Sequence, residues 1–275
     1  MLALRAAAVP QTGALNMAEK SELLRVLNAE IVACRKCPRL VVYREAVARE
    51  KRLAYRDWTY WGKPVPGFGD VQAQLLIVGL APGAHGSNRT GRMFTGDRSG
   101  VFLYKALYDA GFANQPTAVN CEDGLQLKNV YIAAAARCAP PENKPLPSEI
   151  LNCRPYLERE IEILQPRAVL ALGKIGWDVF LGILKHQGTI AGRVGYRFGH
   201  GAEADFPEAG LRLFGVYHPS QQNTQTGILT PGMYAKVLRR IRGYLEQTSR
   251  INTERTESTE ATEKKETTTQ RRRER

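Results

Sequence analysis

Four short, almost wholly apolar segments recur along the sequence and restrict its fold more than any other feature. They are LLIVGL at 75–80, VYIAAAA at 130–136, AVLALG at 168–173 and LRLFGVY at 211–217. Runs of this length without polar alternation are typical of strands that are buried on both faces of a sheet. Because patterns with helical spacing lie between them, the order of elements predicts a parallel sheet covered by helices on both sides.

The predicted fold is therefore α/β, a three-layer αβα arrangement around a central, mostly parallel four-stranded sheet. Helices are predicted at about 18–33, 100–111, 148–164, 174–185 and 231–247. The third helix is opened by Pro147 and Ser148, which are residue types that favour a helix start. Loops are predicted for the glycine-rich or polar stretches 55–70, 112–128 and 186–210.

Composition separates the two ends of the chain from its middle. Residues 1–16 are predicted to be a disordered leader, with Met17 as a candidate start, and the low-complexity segment 248–275 is predicted to be a disordered tail. Residues 17–247 then form one domain of a size that can bury a full core. Since no stretch approaches the roughly 18 consecutive apolar residues of a membrane span, we expect no membrane partner and a cytoplasmic location.

The formal net charge of +12 belongs to the predicted domain rather than to the tail. Residues 248–275 hold eight Lys or Arg and six Asp or Glu, a net of +2, which leaves 31 basic and 21 acidic side chains, a net of +10, for the other residues. A positive globular surface attracts polyanions, nucleic-acid phosphates above all. Charge alone is a weak indicator, because many basic proteins bind no nucleic acid.

Two unusual loops follow predicted strands. The first loop, 81–100, has the sequence APGAHGSNRTGRMFTGDRSG, and the second loop, 218–227, has the sequence HPSQQNTQTG. In a doubly wound sheet, ligands bind at the carboxyl ends of the strands, where loops of this kind meet. The sequence therefore predicts one site that is built from both loops.

The first loop combines glycines, which allow the backbone to approach a ligand closely, with polar side chains. These side chains are His85, Asn88, Arg89, Arg92, Asp97 and Arg98. A generic phosphate-binding loop is one interpretation, but the nucleotide P-loop signature and the dinucleotide fingerprint are both missing. In the second loop, His218 directly follows an apolar strand, where its imidazole can donate a hydrogen bond to an oxygen that gains negative charge.

Four of the five cysteines have a spacing that suits a metal site. Cys34 and Cys37 form a C-x-x-C pair after a helix, and Cys138 and Cys153 follow later in the chain, with Cys121 as the spare. Four thiolates can hold either zinc or an iron–sulfur cluster, and the spacing leaves both open. Unliganded thiols are the plainer alternative.

Three segments carry a resemblance to a known family. GLAPGAHGSNRTGRMFTGD at 79–97 and HPSQQNTQTG at 218–227 resemble the two signature motifs of family 5 uracil-DNA glycosylases, and RCAPPENKPLPSEILNC at 137–153 resembles that family's cluster-binding segment. The resemblance covers about 34–245 in consistent order. It implies a uracil-DNA glycosylase-like fold and a DNA repair enzyme that hydrolyses the N-glycosidic bond of uracil, with hypoxanthine and xanthine as further substrates.

Such an enzyme rotates the damaged nucleotide out of the duplex into a pocket. The resemblance assigns Phe94 to stacking on the everted base and Asn143 to a polar contact, with Ala81 and Gly83 in the pocket wall. As the bond to the sugar breaks, negative charge grows on the uracil O2. We expect His218 and backbone N–H groups of the first loop to stabilise that charge.

The attacking water also needs a polar residue, and the first motif has Ala81 where other glycosylase families have Asp or Asn. Asn88 and Asp97 are the two candidates for positioning this water. The alternative role of Asp97 is a salt bridge to Arg92 or Arg98. No lysine is implicated as a Schiff-base nucleophile, so the enzyme is predicted to be monofunctional and to leave an abasic site.

The resemblance implies duplex DNA with deaminated bases as the partner and leaves single-stranded DNA open. Predicted phosphate contacts are Arg89, Arg92 and Arg98. The turn predicted to contact DNA and to fill the gap left by the everted base comprises Ser220, Gln221, Gln222 and Asn223. A 4Fe–4S cluster, with zinc as the alternative, is implied for Cys34, Cys37, Cys138 and Cys153. We expect a monomer, associated with the nucleoid of a prokaryote.

A second hypothesis comes from another class of protein, a non-catalytic metal-cluster module that binds DNA and senses redox state. It explains the charge and the cysteines but not the details of the first loop. A third hypothesis, a nucleotide hydrolase, requires a pair of magnesium-binding carboxylates, and the two loops have no such pair.

Overall fold

Six strands form one sheet in the computed structural model, which describes residues 15–248. They are β1 (Phe68–Gly69), β2 (Leu75–Gly79), β3 (Val130–Ala134), β4 (Ala168–Leu172), β5 (Glu203–Phe206) and β6 (Leu211–Val216). Their spatial order is β1-β3-β2-β4-β6-β5. The inner four strands run parallel, with Leu75 beside both Val130 and Ala168, so the predicted parallel sheet is confirmed.

Two edge strands extend the predicted four-stranded sheet to a mixed sheet of six. β1 pairs antiparallel with β3, and β5 pairs antiparallel with β6. β1 has only two residues, and β5 has the sequence EADF with two acidic side chains. Short edge strands tolerate charge because only one of their sides is paired. They therefore have no apolar run of the kind that marks the inner strands, and both lie in segments that were predicted to be loops.

Helices cover both faces of the sheet. Their bounds in the described residues are α1 (Met17–Ala33), α2 (Pro38–Glu50), α3 (Ser87–Thr90), α4 (Arg98–Asp109), α5 (Pro147–Leu164), α6 (Gly173–His186), α7 (Gln221–Gln225) and α8 (231–248). The five predicted helices are confirmed as α1, α4, α5, α6 and α8. The sequence did not predict α2, because its buried side chains are only Leu40, Val41 and Arg44 and give little apolar periodicity.

The predicted leader and tail fall mostly outside the described residues, which exclude 1–14 and 249–275. At the first end, Asn16 caps α1 and exchanges hydrogen bonds with Glu19. At the other end, Thr248 is still helical. Among the helices of residues 15–248, none combines the length and the apolar character that a membrane crossing requires.

The sheet separates two apolar cores. Alternate residues of β2 point to opposite faces, so Leu75 and Ile77 belong to one core, and Leu76 and Val78 belong to the other. The first core is closed by α4 and α8, and the second is closed by α1, α5 and α6. This is the predicted three-layer arrangement, and it leaves the carboxyl ends of the parallel strands at one open edge.

A buried ion pair joins the segment after β3 to α5. The guanidinium of Arg137 contacts the carboxylate of Glu160, and both side chains are almost completely removed from solvent. The chain passes close to this pair at Gly67, where a Cβ would lie 2.6 Å from Glu160 Oε1. A side chain at position 67 would therefore collide with the ring of Tyr131 as well as with Glu160.

Glu160→Gln would leave the charge of Arg137 buried without an opposite charge. Removing one partner of a buried pair typically costs about 3–5 kcal/mol, so the free energy of unfolding measured in urea should fall by that amount. Lys105→Ala is the control, because it breaks an exposed pair with Asp109 on α4 and should cost less than about 0.5 kcal/mol. Equal losses in the two variants would contradict the energetic role of Glu160.

Candidate active site

A cavity of about 790 Å³ opens at the carboxyl edge of the sheet. Its wall contains residues of the first loop, Asn143 from the connection after β3, and His218 from the second loop. Arg52 and Tyr55, which precede the sheet in the chain, complete the wall. The two loops that the sequence singled out therefore close on one cavity.

Phe94 lies in the cavity wall with an unusual backbone. Its φ of 52° is in the left-handed region, which bulky residues rarely adopt unless their surroundings impose it. Two glycines make room for it, since a Cβ on Gly100 would overlap the Phe94 carbonyl oxygen and a Cβ on Gly79 would lie 2.9 Å from the ring. The predicted stacking residue is thus held against the end of β2 at the edge of the cavity.

His218 lies beside Phe94. The two ring centroids are 6.0 Å apart, and their planes are inclined by 36°. The His218 carbonyl oxygen accepts hydrogen bonds from the Ser220 N–H and from the Asn223 side-chain amide, which fixes the turn. Burial lowers the pKa of His218 to about 4, so the imidazole is neutral at physiological pH and offers one N–H donor.

Asp97 caps the N-terminus of α4. Its Oδ1 accepts a hydrogen bond of 2.9 Å from the Gly100 N–H, and its Oδ2 lies against the glycine turn, where a Cβ on Gly86 would overlap it. Burial raises the pKa of the Asp97 carboxyl above its ordinary value, against the opposing effects of backbone N–H groups and the charge of Arg89. Asp97 forms no ion pair with another described residue, and Arg92 pairs elsewhere.

Asn88, the other candidate for positioning water, does not line the cavity. It is completely buried in α3, and its side-chain amide donates hydrogen bonds to the carbonyl oxygens of Arg44 and Ala84. Asn88 therefore stabilises the first loop by joining it to α2. Ala81 and Gly83 do line the cavity, and neither adds a polar side chain to it.

Arg89 is buried within the first loop and is not exposed to a phosphate. Its Nε donates to the His85 carbonyl oxygen at 2.8 Å, and its Nη2 donates to the Gly96 carbonyl oxygen at 2.9 Å. The guanidinium lies 4.0 Å from the ring centroid of Tyr55 and 4.1 Å from that of Trp58. A structural role replaces the predicted phosphate contact, because these interactions keep the side chain inside the protein.

Arg92 is also buried and is used within the protein. It forms a bidentate ion pair with Asp123, with N–O distances of 2.9 and 2.7 Å, and its Nε donates to the Thr95 hydroxyl. Asp123 lies in the connection 112–128, so this pair anchors that connection to the first loop. The predicted phosphate contact is replaced here too, whereas Arg98 is exposed and lines the cavity.

The turn after His218 is divided between the cavity and the protein interior. Gln221 and Gln222 line the cavity, as does Ser220, whose hydroxyl accepts the Asn223 N–H at 3.3 Å as the cap of α7. Asn223 is not in the wall, because its amide is bonded to the His218 carbonyl oxygen. On the other side, Asn143 lines the cavity from a turn with a φ of 57°.

Sequence reasoning did not assign a role to Arg52, Tyr55 or His85. His85 Nδ1 lies 3.1 Å from the Tyr60 hydroxyl, which also accepts the Arg52 N–H at 3.4 Å. Burial and the charges of Arg52 and Arg89 lower the pKa of His85. The sequence feature that could have indicated a role for this segment is the mixture of basic and aromatic residues in KRLAYRDW, 51–58.

The four predicted cysteine ligands converge from distant parts of the chain. Cys37, Cys138 and Cys153 are buried, and Cys34 is half-buried. Burial raises the pKa of Cys138 to about 12, and the three neighbouring thiols add to the rise. Within residues 15–248, however, no group of three or more His, Cys, Asp or Glu side chains is arranged to hold a metal ion. Cys121 is exposed and is not one of the thiols that act on the pKa of Cys138.

The fold and the cavity define a class of enzyme. A neutral imidazole, an aromatic ring and one carboxylate surround a cavity at the carboxyl edge of an αβα sheet, and no lysine is among the described residues of its wall. This combination suits an enzyme that holds a flat base and lets water break the bond to its sugar. The class is that of the DNA glycosylases.

Comparison with known proteins narrows the class to a family. The profile of the uracil DNA glycosylase superfamily matches residues 66–242. A type-5 uracil-DNA glycosylase of Mycobacterium tuberculosis is 52% identical over 215 residues, 78% of each chain. Those of Thermus thermophilus and Pyrobaculum aerophilum are 49% and 47% identical, over 76% of this chain and 92% and 88% of theirs. The chain belongs to the uracil-DNA glycosylase superfamily and is a glycosylase, a hydrolase of N-glycosidic bonds.

Arg89→Lys keeps the positive charge but removes the planar guanidinium, which donates hydrogen bonds to two carbonyl oxygens and packs against two aromatic rings. We expect the free energy of unfolding in urea to fall by about 1–3 kcal/mol. Arg98→Lys, at an exposed position, is the control and should change it by less than about 0.5 kcal/mol. Unchanged stability combined with weaker DNA binding in Arg89→Lys would restore the phosphate role.

Proposed function

We propose that this chain excises uracil from DNA by hydrolysing the bond between the base and C1′ of the deoxyribose, which leaves an abasic site in an intact strand. The observation that carries the proposal is that His218, Phe94 and Asp97 meet in one cavity. Because a base can enter such a cavity only after it leaves the stack, the bound form is an everted nucleotide.

His218 stabilises the leaving group. As the glycosidic bond breaks, its electron pair moves to the base, and negative charge grows on the uracil O2. A neutral imidazole N–H, together with backbone N–H groups of the first loop, stabilises this anion. Because the pKa of His218 is about 4, its neutral form is the prevailing one at physiological pH.

Asp97 positions the attacking water. It is the only carboxylate among the described residues of the cavity wall, and Oδ2 faces the glycine turn while Oδ1 caps α4. As the water oxygen bonds to C1′, the carboxylate accepts a water proton. A raised pKa favours this proton transfer. Asn88, buried beneath the loop, supports the loop and does not touch the water.

The pocket accepts more than one deaminated base. Phe94 stacks on the everted base, and Asn143 contacts its polar edge. Ala81 and Gly83 add no side chain that would select one pattern of donors and acceptors. A pocket without such a selector discriminates weakly between flat bases, so hypoxanthine and xanthine are further substrates.

Duplex DNA is the partner, and a monomer binds it. Arg98 contacts a phosphate at the mouth of the cavity, and Ser220, Gln221 and Gln222 face the DNA from the second loop. Asn223 contributes by holding the turn that carries them. These contacts position the duplex without reading its sequence, as excision at any sequence requires.

The four cysteines hold a 4Fe–4S cluster in this proposal. An all-sulfur donor set suits such a cluster and zinc alike. Cys37, Cys138 and Cys153 are buried and Cys34 is half-buried, and the resemblance of residues 137–153 to a cluster-binding segment favours the cluster. When bound, it would tie α1 to α5 and restrict the unfolded chain.

The direct test is incubation with a duplex that contains one uracil, followed by alkali. Strand cleavage should require both the uracil and the alkali, because the enzyme leaves an abasic site. The same duplex without uracil is the control. If the protein bound DNA but excised none of uracil, hypoxanthine and xanthine, the proposal would fail, and a non-catalytic DNA-binding module would be favoured.

His218→Ala should lower kcat about 10²–10³-fold, because it removes a donor that acts on the charge formed in the transition state. Affinity for a duplex with an abasic-site analogue should change little. His186→Ala, at an exposed histidine of α6 that pairs with Glu158, is the matched control and should keep the wild-type rate. Equal losses of rate and affinity would contradict the role of His218.

Cys138→Ser should abolish the visible absorbance of the purified protein and lower its thermal unfolding temperature, because one ligand of the cluster is lost. Cys121→Ser is the matched control and should leave both unchanged, since this exposed thiol lies apart from the other four. A colourless wild-type protein with stoichiometric zinc would contradict the assignment.

A further inference from the structure

The segment 51–58, KRLAYRDW, has no role in the function proposed above. We call it the rim loop, because two of its residues, Arg52 and Tyr55, line the cavity together with the first loop. It follows α2 and carries several cations on an exposed surface. Because Arg52 and Tyr55 line the cavity, the rim loop is placed to contact the DNA that enters it.

The rim loop is attached firmly to the first loop. The guanidinium of Arg89 packs against both Tyr55 and Trp58, at 4.0 and 4.1 Å from their ring centroids. A second attachment runs through Tyr60, whose hydroxyl bonds to His85 Nδ1 at 3.1 Å and accepts the Arg52 N–H at 3.4 Å. Arg52 is therefore presented from a fixed backbone.

Two arginines of the cavity wall have no acidic partner. Arg52 and Arg98 are both exposed, and neither forms an ion pair with another described residue. Arg92, in contrast, is neutralised by Asp123. Unpaired cations at the mouth of a cleft create the positive potential that attracts phosphates.

The cavity is also larger than one base. At about 30 Å³ for each water, its 790 Å³ would hold roughly two dozen waters, and a pyrimidine fills only a part of it. Because Arg52 and Arg98 both line this cavity, it also has the positive charge that suits the sugar–phosphate backbone on either side of an everted nucleotide.

We propose that the rim loop is a clamp for the DNA backbone, in which Arg52, together with Arg98, binds the phosphates that flank the everted nucleotide. The inference rests on the proposed function for the everted nucleotide, but the binding of phosphates can be measured without excision. Because Arg89 and Tyr60 hold the loop in place, Arg52 meets a phosphate with little loss of backbone freedom.

The test is the affinity of the full-length protein for a duplex with an abasic-site analogue, measured by fluorescence anisotropy between about 50 and 200 mM salt. The slope of log K against log salt is negative, and each lost phosphate contact reduces its magnitude by about 0.9. Arg52→Gln should therefore reduce the magnitude of the slope by about 0.9 and weaken binding about tenfold at low salt. The double variant with Arg98→Gln should reduce that magnitude by about 1.8. Arg239→Gln is the matched control, since Arg239 is exposed on α8 and does not line the cavity.

A wild-type slope and affinity in Arg52→Gln would overturn the clamp, even if the wild-type protein excises uracil. A reduced slope would support it, even if no base is excised, so the two proposals fail separately. An equal reduction in Arg239→Gln would also overturn it, because the effect would then come from general surface charge.

Discussion

One buried guanidinium, that of Arg89, joins the two parts of the cavity wall on which the site depends, the first loop and the rim loop. The first loop is rich in glycine and has little rigidity of its own. Arg89 closes it by donating to the carbonyl oxygens of His85 and Gly96, and its guanidinium also packs against the rings of Tyr55 and Trp58. Arginine suits this position because its donors are planar and fixed in a fork. The left-handed backbone of Phe94 and the cap made by Asp97 lie in this same loop.

Burial acts on both ionisable groups of the cavity and favours the neutral form of each. For His218 the neutral form is the useful one, because a neutral imidazole still has an N–H to donate to an anion. For Asp97 the neutral form would not accept a proton, so the burial has to be opposed. The N–H of Gly100 at the start of α4 and the charge of Arg89 provide that opposition. The helix α4, whose N-terminus Asp97 caps, thus also favours the ionised form of the Asp97 carboxylate.

The parts that the sequence predicts well are those whose signals are local. Apolar runs marked the inner strands, and the order of strands placed both loops at one edge of the sheet. The strand β5 and the helix α2 were missed because their stability comes from partners, with little periodicity of their own. The roles of Arg89 and Arg92 could not be read from the sequence for a related reason. In the sequence, neither arginine can be distinguished from Arg98. Only the folded chain brings Asp123 beside Arg92 and two aromatic rings beside Arg89.

This difference among arginines changes how the basic net charge should be interpreted. Arg92, paired with Asp123, contributes little to the potential outside the protein, whereas Arg52 and Arg98 line the cavity and form no ion pair within residues 15–248. Phosphate contacts of this kind carry affinity but no information about the base. In the proposed function, discrimination between bases is left to the interior of the cavity, where Phe94 and Ala81 would contact the base. In the proposed function, attraction to DNA and choice of base therefore belong to different side chains, so that either could change without the other.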